Sequence, residues 1–432
     1  MKLDTLKNKE NNLEHTVNWE TKSIKSLCLK VTSGGTPSRK NPAFYEKGTI
    51  PWLKTKELKD WYINDSEEKI TLEALKNSSA KVFPQNTVLM AMYGDGKTIT
   101  SLGILRIEAA TNQACCALIT NPEACDYLFL FYSLKFHRQD FISMASGGSQ
   151  RNLNGQLISN FTIKVPPLEI QRKIAYVLSN YDYLIENNTQ RIEILEQMAK
   201  LVYEEWFVKF KFPGHEKVKM VPSEFGEILE GWKVREVSEI LKRLKAGKKY
   251  TQNNVLEEGL IPVIDQSEKE VLGFHNDAAD HNASLKDPIM IFGDHTCKIK
   301  ILIEPFSVGP NVVPFISKIY PETFVFFLIK NLVQTKEYKR HWNELQAKKV
   351  VLPDVALAKE FVNVVNPLFQ QITLFEHKNQ NLRKTRDLLL PKLISGEIDV
   401  SDLDISIRNE YQEHNINFGE PQDEEGLRSK MG

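Results

Sequence analysis

IAYVLSNYDYLIENNTQRIEILEQMAKLVYEEW (174–206) and FVNVVNPLFQQITLFEHKNQNLRKTRDLLLPKL (361–393) decide how this chain is built. In the first, Ile174, Leu178, Tyr181, Ile185, Asn188, Ile192, Leu195, Ala199, Val202 and Trp206 recur in alternating steps of four and three. That spacing is a heptad seam along one side of a helix. In the second, Phe361, Val365, Leu368, Ile372, Phe375, Asn379, Leu382, Arg386, Leu389 and Leu393 follow the same steps, each 187 residues after its counterpart. The same shift carries Pro166 onto Pro353, just ahead of each run, where proline suits a helix entrance. A lone seam cannot hide its apolar side. Two matching seams in one chain therefore predict two long helices, 167–209 and 354–396, paired antiparallel as a coiled coil. An ordinary bundle or a homodimeric zipper would use the same pattern. Asn188 and Asn379 would fix register at a cost in stability, and Arg386 is expected to snorkel out of the seam.

Each helix follows a mixed segment that is also repeated. Trp19 opens one and Trp232 the other. EKGTIPWLKTKEL around Ile50-Pro51 resembles EEGLIPVIDQSE around Ile261-Pro262, and LMAMYGDGKTI resembles IMIFGDHTCKI. The offset falls from 211 to 199 to 187 along the segments, so they have diverged by insertion and deletion. Short apolar runs such as Val88-Leu89-Met90 and Ile289-Met290-Ile291 read as strands. The fold class predicted is α+β: two α/β heads, two long antiparallel helices and a pseudo-twofold internal repeat. The segments are an N-terminal extension (1–16), head one (17–166), helix one (167–209), a linker (210–230), head two (231–353), helix two (354–396) and an acidic tail (397–432) that reads as mobile.

Composition narrows the function. The 432 residues are 41% hydrophobic, enough for real cores. Lys+Arg and Asp+Glu both number 56, which argues against a simple polybasic DNA binder but leaves room for local basic patches. The five cysteines, Cys28, Cys115, Cys116, Cys125 and Cys297, lack zinc or redox-motif spacing and suit a reducing cytosol. Cys115-Cys116 reads as buried strand. The N-terminus does not look like a signal peptide, and no run of about 18 apolar residues suggests a membrane span.

Two similar heads on a spacer resemble a two-site ruler. A 33-residue helix spans about 50 Å, or roughly 15 base pairs of DNA. Candidate contacts lie in small, polar, basic loops. Head one offers Ser33, Gly34, Gly35, Thr36, Ser38, Arg39 and Lys40, then Ser149, Gln150, Arg151 and Asn152. Head two offers Lys245, Lys248, Lys249, Tyr250 and Gln252, then Asn343, Gln346, Lys348 and Lys349 at the position matching head one's second loop. Glycine lets backbone come close, Arg pairs bidentately with guanine, and Gln or Asn pairs with adenine. Each loop alone also reads as solvated surface. A non-DNA scaffold that pairs other proteins would have no need of such loops.

Catalytic signatures are weak. Asn41-Pro42-Ala43-Phe44 departs at its third position from the Asn-Pro-Pro-Phe/Tyr motif of adenine methyltransferases. Tyr93-Gly94-Asp95-Gly96 is a lone glycine pair, and its partner copy at Gly293-Asp294 lacks the second glycine. There is no Walker A sequence, and the histidines lack metal-ligand spacing.

SGGTPSRKNPAFYEKGTIPWLKTKEL (33–58), ATNQACCALI (110–119), GGSQRNLNGQLI (147–158), PPLEIQRKIAYVL (166–178), PVIDQS (262–267), FGDHTCKIK (292–300) and LRKTRDLLLPKLISGEI (382–398) come in an order that resembles the specificity subunits of type I restriction-modification systems. The resemblance covers roughly 17–400. It implies that each head is a target-recognition domain reading one half of a bipartite double-stranded DNA site, and it adds Lys54, Lys56, Tyr93, Lys97, Gln266 and His295 to the candidate DNA contacts. It implies a non-catalytic chain, with the helices setting the spacer and binding two methyltransferase subunits. No cofactor is expected in this chain: S-adenosylmethionine, ATP and Mg would be bound by the methyltransferase and restriction subunits. The sequence departs from many relatives at Tyr93-Gly94-Asp95-Gly96-Lys97, where they carry a longer Tyr-Gly-Ala-Thr tract.

Overall fold

A computed structural model describes residues 18–94, 98–146, 152–267, 269–335, 337 and 339–404. The N-terminal extension and most of the acidic tail lie outside them. The chain forms two compact units, Met1–Ile185 with Gln380–Gly432, and Glu186–Asn379. The expected helices are present as Leu168–Tyr203, ending in a π-helical turn at Glu204–Val208, and as Val355–Ser395.

The unit boundaries do not coincide with the segments read from the sequence. They fall inside both long helices, so neither helix is a separate domain. The physical reason is burial of the seam. In unit one, Ile170, Ile174 and Leu178 share a core with Leu390, Leu393 and Ile394, and with the head residues Leu128 to Phe131. In unit two, Ala199 shares a core with Phe361 and Val365, and with the head residues Phe324, Val325 and Trp342. Each half-helix thus completes the core of a head. The helices run antiparallel. Within unit two, Asn188 Nδ2 donates to Asn379 Oδ1 at 2.9 Å, while the Arg191 guanidinium lies 5.5 Å from the Phe375 ring, so one helix ascends as the other descends. Among the other seam residues Ile185 and Ile372 are buried, whereas Ile192, Leu195, Leu382 and Leu389 are half-buried.

Arg386 does not snorkel outward. In unit one it is buried, pairs with Asp182 of the first helix and donates from Nε (2.9 Å) and Nη2 (2.8 Å) to Asp387 Oδ1. Asp182 Oδ2 also accepts the Tyr132 hydroxyl at 2.6 Å. Burial opposes the arginine charge, but Asp182 and Asp387 outweigh it and hold the guanidinium above its ordinary pKa. Burial, reinforced by Asp182, raises the Tyr132 phenol well above its own.

The heads share one plan. In unit one the fully buried strand Val88–Ala91 lies between Leu102–Leu105 and Cys115–Thr120, and Cys115–Thr120 pairs next with Cys28–Ser33. A second sheet sets Ile50–Leu53 parallel to Ala109–Thr111. In unit two, Ile289–Gly293 lies between Ile299–Leu302 and Val312–Ser317, which pairs with Leu241–Arg243, and Ile261–Ile264 runs parallel to Ser307–Val308. Each head is closed by its first and last strands, Glu20–Ser23 with Thr162–Val165 and Lys233–Glu236 with Lys349–Leu352. Unit one additionally carries the edge strand Trp61–Ile63 and the helix Arg138–Ser146. They lie in the intervals where the offset falls from 211 to 199 and from 199 to 187.

The predicted linker is partly structured. Met220–Ser223 and Gly226–Leu229 form a hairpin whose turn is closed by Ser223 and by Gly226 at φ 91°. The five cysteines are free, and Cys115 and Cys116 lie on a buried strand as expected. Burial pushes the Cys28 and Cys116 thiols up to about 12, so they are poor nucleophiles. No helix among the described residues is long and apolar enough to cross a membrane.

Candidate nucleic-acid interface

In unit one the loop after Cys28–Ser33 is pinned from below. The buried Trp52 donates its indole N–H to the Gly35 carbonyl (3.0 Å), and Gly35 N–H donates to Thr111 O (2.9 Å). A Cβ at Gly34 would stand 2.0 Å from the Thr111 carbonyl oxygen, and one at Gly35 2.5 Å from the Ser79 carbonyl carbon. The glycines therefore serve close packing against this protein's own backbone, which corrects the expectation that they make room for DNA. The Tyr45 hydroxyl donates to Pro37 O at 2.6 Å, and Thr36 bonds to Gln113. Ser38, Arg39 and Lys40 are left exposed at the tip, while Ser33 is half-buried.

Arg39 lies 4.3 Å from the Tyr45 ring centroid and 5.0 Å from that of Trp52, and its guanidinium meets Glu68 at 2.5 Å. Glu68 also pairs with Lys54, and Glu67 pairs with Lys56. The structure thus gathers Arg39, Lys54 and Lys56 at one place, through acids that sequence reasoning passed over. The hydrogen bond to Glu68 raises the Arg39 pKa, and the bonds from Arg39 and Lys54 lower that of Glu68. Tyr93 follows the strand Val88–Ala91 and is exposed, and Leu153 N–H donates to Met92 O at 3.0 Å, which places the exposed Asn152 beside this strand end. Lys97, Ser149, Gln150 and Arg151 lie outside the described residues.

Unit two repeats the arrangement at its strand ends. Gln266 follows Ile261–Ile264 and His295 follows Ile289–Gly293, and His295 N–H donates to Gln266 Oε1 at 2.9 Å. Asp294 Oδ1 accepts the backbone N–H groups of His341 (3.0 Å) and Trp342 (2.8 Å). Lys245, Lys249 and Gln252 are exposed. Lys248 pairs with Asp277 at 2.7 Å, its pKa raised by that bond.

Three expectations shift here. Tyr250 is not a surface group: it is 2% exposed and stacks on His275 with centroids 4.5 Å apart, so it anchors its loop. Asn343 and Gln346 do not lie in a loop matching 147–152. They sit on the short helix Trp342–Gln346, the counterpart of Gly155–Asn160 at the 187 offset, because Trp342 and Leu345 are drawn into the core. Lys348 sits 3.8 Å from Glu344, and Lys349 begins the closing strand and pairs with Glu224 of the hairpin at 2.8 Å. The Asn41-Pro42-Ala43-Phe44 stretch is a capped 3₁₀ turn with Phe44 buried.

Two α+β units, each with its core completed by halves of the same two long helices, define a duplicated fold. A crystal structure of the S subunit of a type I restriction-modification system from M. genitalium has it too, with TM-score 0.55 at 18% identity, covering 88% of this chain and 97% of that one. Residues 16–197 match the type I restriction modification DNA specificity domain. The specificity subunit of the type I restriction enzyme MjaIX of Methanocaldococcus jannaschii is 29% identical over 416 residues, covering 89% of this chain and 94% of the relative. That of EcoR124I/EcoR124II of Escherichia coli is 28% identical over 190 residues, covering 43% of this chain and 46% of that protein. Over most of its length the chain is thus similar to the specificity subunits of type I restriction-modification systems.

Proposed function

We propose that this chain reads a split DNA sequence in the cytoplasm, one half with each head, and brings methyltransferase and restriction subunits to it while performing no catalysis itself. The observation that carries the reading is the repeated strand-end arrangement. Lys54 and Tyr93 in unit one, and Gln266 and His295 in unit two, stand just past the same two strands of one duplicated plan. A duplicated plan with different side chains beyond its corresponding strands suits two different half-sites. The long helices would set the gap between the half-sites and seat two methyltransferase subunits. The partner subunits would hold S-adenosylmethionine, ATP and Mg.

The test is to co-express the full chain with its cognate methyltransferase subunit in a methylation-free host and sequence the methylome. A bipartite motif methylated at adenine is expected, with none when either protein is omitted. A contiguous motif, or methylation by the purified chain alone, would overturn the reading. Inserting one heptad between Ile185 and Ile192, and another between Ile372 and Asn379, should alter the gap by up to about three base pairs and leave the half-sites unchanged.

A further inference from the structure

We propose that Glu67 and Glu68 occupy the place of DNA in the free protein and act as specificity-determining residues that suppress binding to non-cognate duplex. The proposal rests on the reading above, that Arg39, Lys54 and Lys56 face DNA.

The geometry separates three acids by what holds them. Glu57 is committed to backbone: its Oε1 accepts Lys54 N–H and its Oε2 accepts Glu67 N–H, both at 2.9 Å. These bonds bolt the 54–57 turn to the 66–68 segment. Glu67 and Glu68 then turn their carboxylates to cationic side chains, Glu68 to Arg39 and Lys54, and Glu67 to Lys56, with Lys54 at 4.0 Å. A carboxylate offers arginine two acceptor atoms, as two phosphate oxygens or the O6 and N7 of a guanine edge do. DNA contact at these cations therefore requires exchange of an internal partner for an external one.

That exchange treats sequences unequally. Non-cognate duplex offers phosphates without matching base edges, so one ion pair replaces another. Fewer counterions are released, because the cations are already neutralised. A cognate site adds base-edge hydrogen bonds, and a displaced carboxylate can accept from a cytosine amino group. The penalty falls on every duplex and is offset only at the target. Unit two repeats the device with other residues: Lys248 on Asp277 at 2.7 Å. The equal totals of 56 basic and 56 acidic residues agree with cations balanced within the chain.

The test uses the full chain, a random-sequence 30-base-pair duplex as probe, and anisotropy titrations from about 50 to 300 mM KCl. Glu67→Gln/Glu68→Gln should bind roughly tenfold more tightly at the lowest salt, with the log–log salt slope steeper by about one to two. Glu67→Ala/Glu68→Ala should move the same way, which guards against an amide that still holds the cations. A control, Glu123→Gln/Glu193→Gln, adds the same charge at exposed positions elsewhere and should change affinity by less than about twofold. If the Glu67/Glu68 variants bind no tighter than the control, the proposal is overturned. Arg39→Ala/Lys54→Ala/Lys56→Ala in the otherwise native chain tells the two failures apart. If it weakens binding while the Glu67/Glu68 variants do nothing, only the proposal falls. If it has no effect either, the DNA-facing reading falls with it.

Discussion

Replacing Arg386 by methionine tests whether the helix pair is part of the core of unit one. The side chains of Arg386 and Asp182 are 11% and 6% exposed. Removing the guanidinium leaves a buried carboxylate whose remaining side-chain hydrogen bond comes from Tyr132. Breaking one side of a buried pair costs about 3–5 kcal/mol, because the surviving charge is uncompensated. In a unit of this size that corresponds to a fall of roughly 6–20 °C in melting temperature. Replacing both, Asp182→Leu/Arg386→Met, should recover most of the loss but still strands the Tyr132 hydroxyl, at about 1–3 kcal/mol. Adding Tyr132→Phe should remove that remainder. A two-unit chain need not melt in one step, so the melt is paired with hydrogen exchange on peptides from 168–185 and 380–395. Protection should drop there in the single variant and return in the triple. A single variant that melts within about 1 °C of the native chain, or a triple no better than the single, would refute the reasoning.

Two further predictions follow from packing and from titration. Gly34→Ala drives a Cβ to 2.0 Å from the Thr111 carbonyl oxygen and should cost about 1–3 kcal/mol or more. Gly155→Ala meets no atom within 4 Å at the start of a short helix and should be neutral or up to about 1 kcal/mol stabilising, both read by thermal melts. Burial depresses the pKa of His281 below its usual 6.5. The folded state therefore keeps it neutral where the unfolded chain would protonate it. Its contribution is present above 6.5 and is lost as pH falls toward the folded value, so unit two should lose stability as pH falls below about 6.5. His281→Phe should flatten that part of the melting profile, and an unchanged profile would exclude His281 as its source.

The helices were legible because their signal is periodic and local. A seam from Ile174 to Trp206 repeated 187 residues on needs no knowledge of the heads, and its ends fell close to those of Leu168–Tyr203 and Val355–Ser395. What a period cannot say is which polar position turns inward. Asn188 and Asn379 bond to each other across the helix pair. Arg386 looked like an outward-facing misfit, because its partner Asp182 lies 204 residues away and its third member, Tyr132, comes from a head. The unit boundary was hidden for the same reason: contacts between helix and head decide it, and a chain read in one dimension shows the helix as one piece.

The site was legible only as a set of cations, and the error has a physical form. Arg39, Lys54, Lys56, Lys248 and Lys349 read as free donors because a sequence shows charge without showing what faces it. In the folded chain their partners are Glu68, Glu67, Asp277 and Glu224, and Glu224 stands 125 residues from its lysine. Counting basic residues in loops therefore overstates the charge such a head presents. The better measure is how many cations remain once internal carboxylates are subtracted, and that sets the salt slope. A reader that gains little from bare phosphate must take its affinity from base edges. The near-neutral composition, which argued only against a simple polybasic binder, is compatible with such a reader.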